Sequence, residues 1–151
     1  MDILDRLVLD HVRLAELSDE LDREVLARWE HGRPVWGAEA VARVLGLVHR
    51  LVELWSEHDE LERSALYPEL LRRAPLGPER VIEIESERAK VSSLLSDFSL
   101  ELARSHERPT TWMLLNLMRL TSLIQRHAAL EEGEIFPLAR QHLADLASGA
   151  A

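Results

Sequence analysis

One eleven-residue pattern occurs twice in the chain and limits what the chain can fold into. Segments 58–68 and 127–137 each read His-x-x-x-Glu, followed at the same offsets by an aliphatic residue, an aromatic residue and a proline. Helical residues four apart lie on one face, so each copy projects an imidazole and a carboxylate in one direction. One copy alone would be typical of a solvated helix. Two matching copies predict facing helices with a shared site, as in bundle proteins with di-metal centres.

Apolar residues recur at helical spacing along almost the whole chain, and no segment alternates as a strand would. Clusters of Gly and Pro, which end helices, interrupt this pattern at 31–37, 74–78 and 105–110. The pattern therefore predicts four helices, at about 2–30, 38–73, 79–104 and 111–147. Short connections make neighbouring helices antiparallel, so we expect an all-α fold, an antiparallel up-down-up-down four-helix bundle in a single domain over 1–151.

Two prolines, Pro68 and Pro137, fall inside these predicted helices. Proline removes a backbone hydrogen bond to the preceding turn, so we expect each helix to kink or end there. The aliphatic–aromatic pair before each proline either closes the end of the bundle below the site or packs as an ordinary helix terminus. For Tyr67 we expect packing at the bundle end, although a metal is within its reach. Trp55, about one turn before His58, is expected to wall the site.

The apolar stripe of each predicted helix is interrupted by a polar residue at one level. The interruptions are His11, His58, Arg88 and His127. In an antiparallel bundle their distances from the helix ends place them within about one turn of each other, ~5 Å along the axis. A lone histidine such as His11 is more often a satisfied core residue than a ligand. A whole polar layer is costly to bury unless it is paired or binds metal, so the coincidence favours a site.

Composition narrows the chemistry of such a site. The 151 residues suffice for one domain with a buried core. Cysteine is absent, so a metal would need His and carboxylate ligands, which suit iron, manganese or zinc. The net charge of −9 argues against nucleic acid and against an anionic membrane as partners. We find neither a signal peptide nor an apolar run long enough to cross a bilayer, and expect a cytoplasmic protein.

With Asp10-His11 and the two repeated segments, the chain resembles the hemerythrin-like (HHE cation-binding) family over nearly its whole length. The resemblance implies a four-helix bundle around a non-haem, oxo-bridged di-iron cofactor. Members of that family carry or sense oxygen, respond to nitric oxide or iron, or handle peroxide. The implied partner is therefore a small diatomic ligand or peroxide, and binding or sensing is favoured over catalysis.

Carried over to this sequence, the resemblance makes His11, His58 and His127 terminal nitrogen ligands. It makes Glu62 and Glu131 the carboxylates that bridge two metal ions. Five inward ligands exceed the three protein ligands typical of a catalytic zinc site, which disfavours a zinc hydrolase.

One ligand of the family pattern is missing. Counting back from the core position Val91 places Arg88 where the family has a third-helix His, and arginine remains protonated and does not ligate metals. In one interpretation Glu87 or Glu85 turns inward as the replacement ligand, and Glu87 completes the expected metal set. In the other, Arg88 pairs with Glu62 or Glu131. The chain is then a degenerate bundle, metal-free or with a single metal, that acts as a regulatory or interaction module.

Overall fold

The structure is a computed structural model that describes residues 2–30, 33–34, 36–104 and 111–143. Its helices are α1 (Ile3–Leu26), α2 (Ala38–Leu61), α3 (Tyr67–Arg73), α4 (Pro78–Arg104), α5 (Thr111–Leu130) and α6 (Phe136–His142). A first π turn, Glu62–Leu66, joins α2 to α3 without a break, and a second π turn, Glu131–Ile135, joins α5 to α6. The described helices therefore form four rods, in agreement with the four predicted from the sequence.

The four rods are arranged as a ring. Helix α1 packs against α2 and α5, and α4 packs against the same two neighbours. Successive rods run antiparallel, and the short helices α3 and α6 contact each other at one end of the bundle. The predicted antiparallel four-helix bundle is confirmed. No described helix is both long and apolar enough to span a membrane.

Helix α1 is shorter than predicted at its carboxyl end. It begins after Asp2, whose carboxylate caps it by accepting a hydrogen bond of 2.7 Å from the Asp5 N–H. It ends at Leu26, and strands β1 (Trp29–Glu30) and β2 (Arg33–Pro34) then pair antiparallel. The backbone of β1 pairs with that of β2 instead of continuing α1. The predicted loop at 105–110 and the end of the last predicted helix, 144–147, lie outside the described residues.

Each π turn closes just before a proline. The N–H of Tyr67 donates to the Glu62 carbonyl, and the N–H of Phe136 donates to the Glu131 carbonyl. A proline ring clashes with the carbonyl four residues back in a regular α-helix, and the wider π turn relieves that clash. The expected kink thus takes the form of a π turn. In an α-helix a residue five positions on lies about 140° around the axis, whereas here both aromatic residues are buried on the same side as the glutamates.

The core consists of two apolar clusters on either side of a polar layer. The larger cluster includes Leu14, Leu21, Leu51, Trp55, Val91, Phe98, Leu117 and Ile124. The smaller cluster consists of Leu4, Leu7, Leu66, Tyr67, Leu70, Ile84, Ile135, Phe136, Ala139 and Leu143. Between them lie the buried polar side chains His11, His58, Glu62, Arg88, His127 and Glu131. The predicted coincidence of the polar levels on four helices is therefore confirmed.

Candidate metal centre

Five buried side chains from three rods converge in the polar layer. They are His11 from α1, His58 and Glu62 from the junction of α2 with the first π turn, and His127 and Glu131 from the junction of α5 with the second. One ligand atom from each of these residues lies within 4.8 Å of those of the other four. The structure thus brings together five of the six residues that the sequence predicts as ligands.

The facing atoms of this cluster are short of hydrogen bonds. Among the described residues no hydrogen-bond partner is found for the Nε2 atoms of His11, His58 and His127, for Glu131 Oε2 or for either oxygen of Glu62. Unpaired buried polar groups cost several kcal/mol in total, at ~1–3 kcal/mol each. Imidazole nitrogens and carboxylate oxygens that converge without partners are a donor set for a first-row divalent metal ion. The residues present therefore fit a metal ion.

The electrostatics of the cluster are dominated by contacts between histidine and glutamate. Burial lowers the pKa of both His58 and His127, but the close approach of Glu131 and Glu62 outweighs it and raises the pKa of His58 to about 9 and that of His127 to about 10. Burial and repulsion from Glu131 raise the pKa of Glu62. Burial also acts to raise the pKa of Glu131, but the surrounding imidazoles, that of His11 first, hold it well below its ordinary value.

The ring of His11 is held in place by two residues of the second π turn and its junction with α6. Glu132 Oε1 accepts a hydrogen bond of 2.8 Å from His11 Nδ1. The Phe136 ring stacks on the imidazole, with ring centroids 5.3 Å apart and planes 11° from parallel. A carboxylate on the outer nitrogen of a histidine orients the ring and leaves the other nitrogen free to ligate. His11 is thereby set to offer Nε2 to the centre.

The indole of Trp55 forms a wall of the site, as expected. It is buried, and its ring centroid lies 5.1 Å from that of His127 and 5.8 Å from that of His58. The indole N–H donates to Ser92 Oγ at 3.1 Å, which fixes the ring against α4. Trp55 is thus hydrogen-bonded to α4, which provides no histidine to the cluster.

Tyr67 contacts the centre more closely than its sequence position suggests. Its buried hydroxyl donates a hydrogen bond to Glu131 Oε1 across the bundle. Burial and the negative charges of Glu131 and Glu62 raise the pKa of this phenol, so it remains a hydrogen-bond donor. In a regular α-helix Tyr67 would lie about 140° around the axis from Glu62. The sequence signal for its actual position is Pro68, because the π turn relieves the clash of the proline ring.

Arg88 occupies the third-helix level of the site and points inward. Its Nε and one Nη donate to Asp59 Oδ1 at 2.9 and 2.6 Å, and the same Nη donates to the Asp59 carbonyl at 3.2 Å. The Nε also lies 3.5 Å from Glu62 Oε2. The guanidinium carbon is 5.2 Å from the centroid of the Tyr67 ring. The predicted pairing of Arg88 with Glu62 is present, whereas Asp59, which holds the guanidinium inward, had no distinguishing signal in the sequence.

The expected ligand Glu87 lies away from the cluster. Its carboxylate accepts hydrogen bonds of 2.6–3.1 Å from the exposed Arg126 of α5 and lies 3.1 Å from Lys90 Nζ. Burial acts to raise the pKa of Glu87, but these cations lower it. Glu85 is largely exposed, and its nearest approach to the site is 3.9 Å from an Arg88 Nη. Since Arg88 takes the inward position of α4, its neighbour is turned about 100° away, which corrects the expectation that Glu87 faces the site.

A scan against family models adds an independent finding. The model described as the hemerythrin HHE cation-binding domain matches residues 2–139. The chain belongs to this family. The match includes all five clustered residues, and the buried His and Glu group fits the cation binding that gives the family its name. The search of curated proteins and the search of solved structures returned no match.

Membership in the hemerythrin HHE family makes the position of Arg88 the main departure of this chain. Of the donors expected from the family pattern, those on α1, α2 and α5 are present and converge. The helix α4 provides a guanidinium instead, anchored by an aspartate of α2. The hemerythrin-like centre of this protein is therefore complete on three rods and altered on the fourth.

Proposed function

We propose that this hemerythrin-like protein binds iron in the buried centre and uses it to bind or sense oxygen, nitric oxide, peroxide or iron itself. The observation that supports the proposal is the convergence of three imidazole Nε2 atoms with oxygens of Glu62 and with Glu131 Oε2, none of which has a hydrogen-bond partner among the described residues. Without thiolates, such a donor set suits iron, manganese or zinc. Of these three metals, the family match favours iron, bound without haem.

Bound iron would supply a redox-active centre that can take up a small molecule at a position not filled by protein ligands. The residues of the chain would orient and shield that centre. Glu132 holds His11 with Nε2 directed inward, and Phe136 covers the outer face of that ring. Trp55 and the two apolar clusters exclude water from the remaining sides. A small, weakly polar molecule suits such an enclosed pocket better than a large substrate does.

A metal-free regulatory or interaction module is the second candidate function, and one observation favours it. The two carboxylates, Glu62 and Glu131, face histidines whose pKa values are raised, and Arg88 adds a fixed positive charge beside Glu62. The polar layer can therefore neutralise its own charge when those histidines are protonated. In that case the centre holds the helices together, and function resides on the surface of the bundle.

Metal analysis of the full chain separates the two candidates. Protein expressed in iron-supplemented medium should contain iron after desalting and should lose thermal stability when a chelator removes it. A ligand present at ~1,000 times its dissociation constant stabilises the native state by about 4 kcal/mol, which corresponds to a fall of roughly 10 °C in Tm on removal. Protein that contains no iron, manganese or zinc, with a Tm unaffected by chelator, would establish the metal-free module.

A further inference from the structure

We infer that the centre holds one metal ion instead of a bridged pair, with the guanidinium of Arg88 in the place of the second ion. This inference rests on the proposed function, because it assumes that the cluster binds metal. It concerns the number of ions, which the identities of the five ligands alone do not decide. Three features of the site point to a single ion: one shared oxygen, one occupied oxygen and one anchored cation.

The shared oxygen is Glu131 Oε2. The Nε2 atoms of His11, His127 and His58 lie 3.2, 3.3 and 3.7 Å from it. Ligands of one ion lie ~2.0–2.2 Å from it, so adjacent donor atoms of one coordination shell are roughly 3 Å apart. The three histidines thus surround one point next to Glu131 Oε2. In a two-metal site, with ions ~3.5–4 Å apart, terminal nitrogens divide between two centres.

The occupied oxygen is Glu131 Oε1. It accepts the hydrogen bond of the buried Tyr67 hydroxyl. This hydrogen bond takes one lone pair of Oε1 and makes that atom the weaker donor to a metal. Coordination through Oε2, which has no hydrogen-bond partner among the described residues, is therefore favoured over a bridge through both oxygens.

The anchored cation is Arg88, which lies beside the other carboxylate. Its Nε is 3.5 Å from Glu62 Oε2, while Glu62 Oε1 is 3.0 Å from His58 Nε2. Glu62 Oε1 thus faces His58, while Oε2 lies between the guanidinium and His127 Nε2, which is 3.7 Å away. Arg88 is nineteen-twentieths buried, and its hydrogen bonds to Asp59 oppose its release to solvent. A permanent positive charge there repels a second divalent cation and balances the second carboxylate in its stead.

The chemistry of the remaining donors indicates the class of ion. Three imidazole nitrogens, Oε2 of Glu131 and Oε1 of Glu62 suit a six-coordinate first-row ion such as Fe²⁺ or Mn²⁺. Five protein donors leave one position of an octahedral shell for a small molecule. A single ion held by these residues would supply one redox-active centre for a diatomic molecule or peroxide.

The test counts ions in the full-length chain. Metal-free protein is loaded anaerobically with excess Fe²⁺, desalted and assayed for iron per chain, and a parallel sample is loaded with Mn²⁺ for paramagnetic resonance. We expect one ion per chain and the spectrum of an isolated Mn²⁺ ion. Two ions per chain with a spin-coupled spectrum would overturn the inference but not the proposed function. Protein that takes up no metal would overturn both.

Arg88→His and a matched control test the role assigned to Arg88. The substitution removes the cation and supplies a nitrogen at the same level, so the metal content should rise from one ion to two and the Mn²⁺ spectrum should become coupled. Arg126→His, which adds a histidine at an exposed position of α5, should leave one ion per chain. If correctly folded Arg88→His protein, checked by circular dichroism, still binds one ion, Arg88 does not stand in for the second.

Should Arg88→His fail to fold, Arg88→Gln provides a second test, because it removes only the charge. This variant can be loaded with Mn²⁺, and an Mn²⁺ affinity equal to that of the parent protein would overturn the role assigned to Arg88.

Discussion

The two His-x-x-x-Glu turns are alike in backbone and unlike in surroundings. Both enter a π turn at the glutamate, and both close it with the N–H of an aromatic residue just before a proline. Glu131 faces three imidazoles and a phenol hydroxyl, and its pKa is lowered. Glu62 faces two imidazoles and a guanidinium, and burial together with repulsion from Glu131 raises its pKa. A sequence repeat therefore builds two turns of the same shape without giving their carboxylates the same role.

The aromatic positions show the same divergence. Tyr67 and Phe136 occupy equivalent places, five residues after the glutamates. The phenol of Tyr67 reaches across the bundle to Glu131, while the ring of Phe136 stacks on His11. The first π turn thus supplies a hydrogen bond to the carboxylate of the second, through Tyr67. The second π turn supplies an apolar cover to the His11 ring of α1, through Phe136. The two turns complement each other instead of duplicating each other.

The comparison of the carboxylates carries the largest expected effect. Glu131→Gln should weaken metal binding by more than about 100-fold, because residues outside the ligand shell already account for ~10–100-fold and Glu131 Oε2 adjoins all three histidines. The loss of metal affinity in Glu62→Gln should be about tenfold smaller than the loss in Glu131→Gln. Both changes preserve side-chain volume, and competition with a chelator of known affinity measures them. The double variant should be little weaker than Glu131→Gln, because the two residues serve one site. Equal single losses would mean that the carboxylates are equivalent.

The histidines of the two turns predict how the stability of the metal-free protein depends on pH. The pKa values of His58 and His127 are raised from 6.5 to about 9 and about 10, so protonation stabilises the folded state. Their contribution is fully present below pH 6.5 and is lost as the pH rises through 9 and 10. Chemical denaturation should show a loss of a few kcal/mol over this range. Metal-loaded protein, whose ligating histidines are neutral, should lose less, and identical pH profiles would contradict the paired arrangement.

The exchange of the aromatic residues should have a smaller effect. Tyr67→Phe gives the first turn the residue of the second and removes the hydrogen bond to Glu131. We expect metal affinity to fall about tenfold and the free energy of unfolding to fall by ~1 kcal/mol. Phe136→Tyr serves as the control, because it adds a hydroxyl to the other turn and should not raise affinity. An unchanged affinity in Tyr67→Phe would show that the phenol does not position Glu131.

The smallest expected effect concerns a carboxylate outside both turns. Glu87→Ala should leave the metal content unchanged, because Glu87 pairs with Arg126 and Lys90 at the edge of the bundle. Loss of these largely exposed ion pairs should lower the free energy of unfolding by less than ~1 kcal/mol. Loss of metal from Glu87→Ala would instead show that Glu87 is a ligand and that α4 contributes to the coordination shell.

Local patterns account for most of what could be predicted. The periodicity of the apolar residues and the positions of Gly and Pro predict the four rods, because both act through backbone conformation over a few residues. The carboxyl end of α1 lies earlier than predicted because β1 finds backbone partners in β2 instead of in its own helix. The common level of His11, His58, Arg88 and His127 was also predictable, since it depends only on helix lengths and short loops.

The sequence by itself identified the five residues that converge, together with Glu87, and the tertiary structure removed Glu87 from the set and decided what each of the others contacts. The spacing of His58 with Glu62 and of His127 with Glu131 dictates that each pair shares a helix face. No local rule directs Tyr67 to Glu131 or holds Arg88 inward against Asp59, because these contacts join residues on different rods. They depend on the π turns and on the distances between packed helices, which arise only when the whole bundle is assembled.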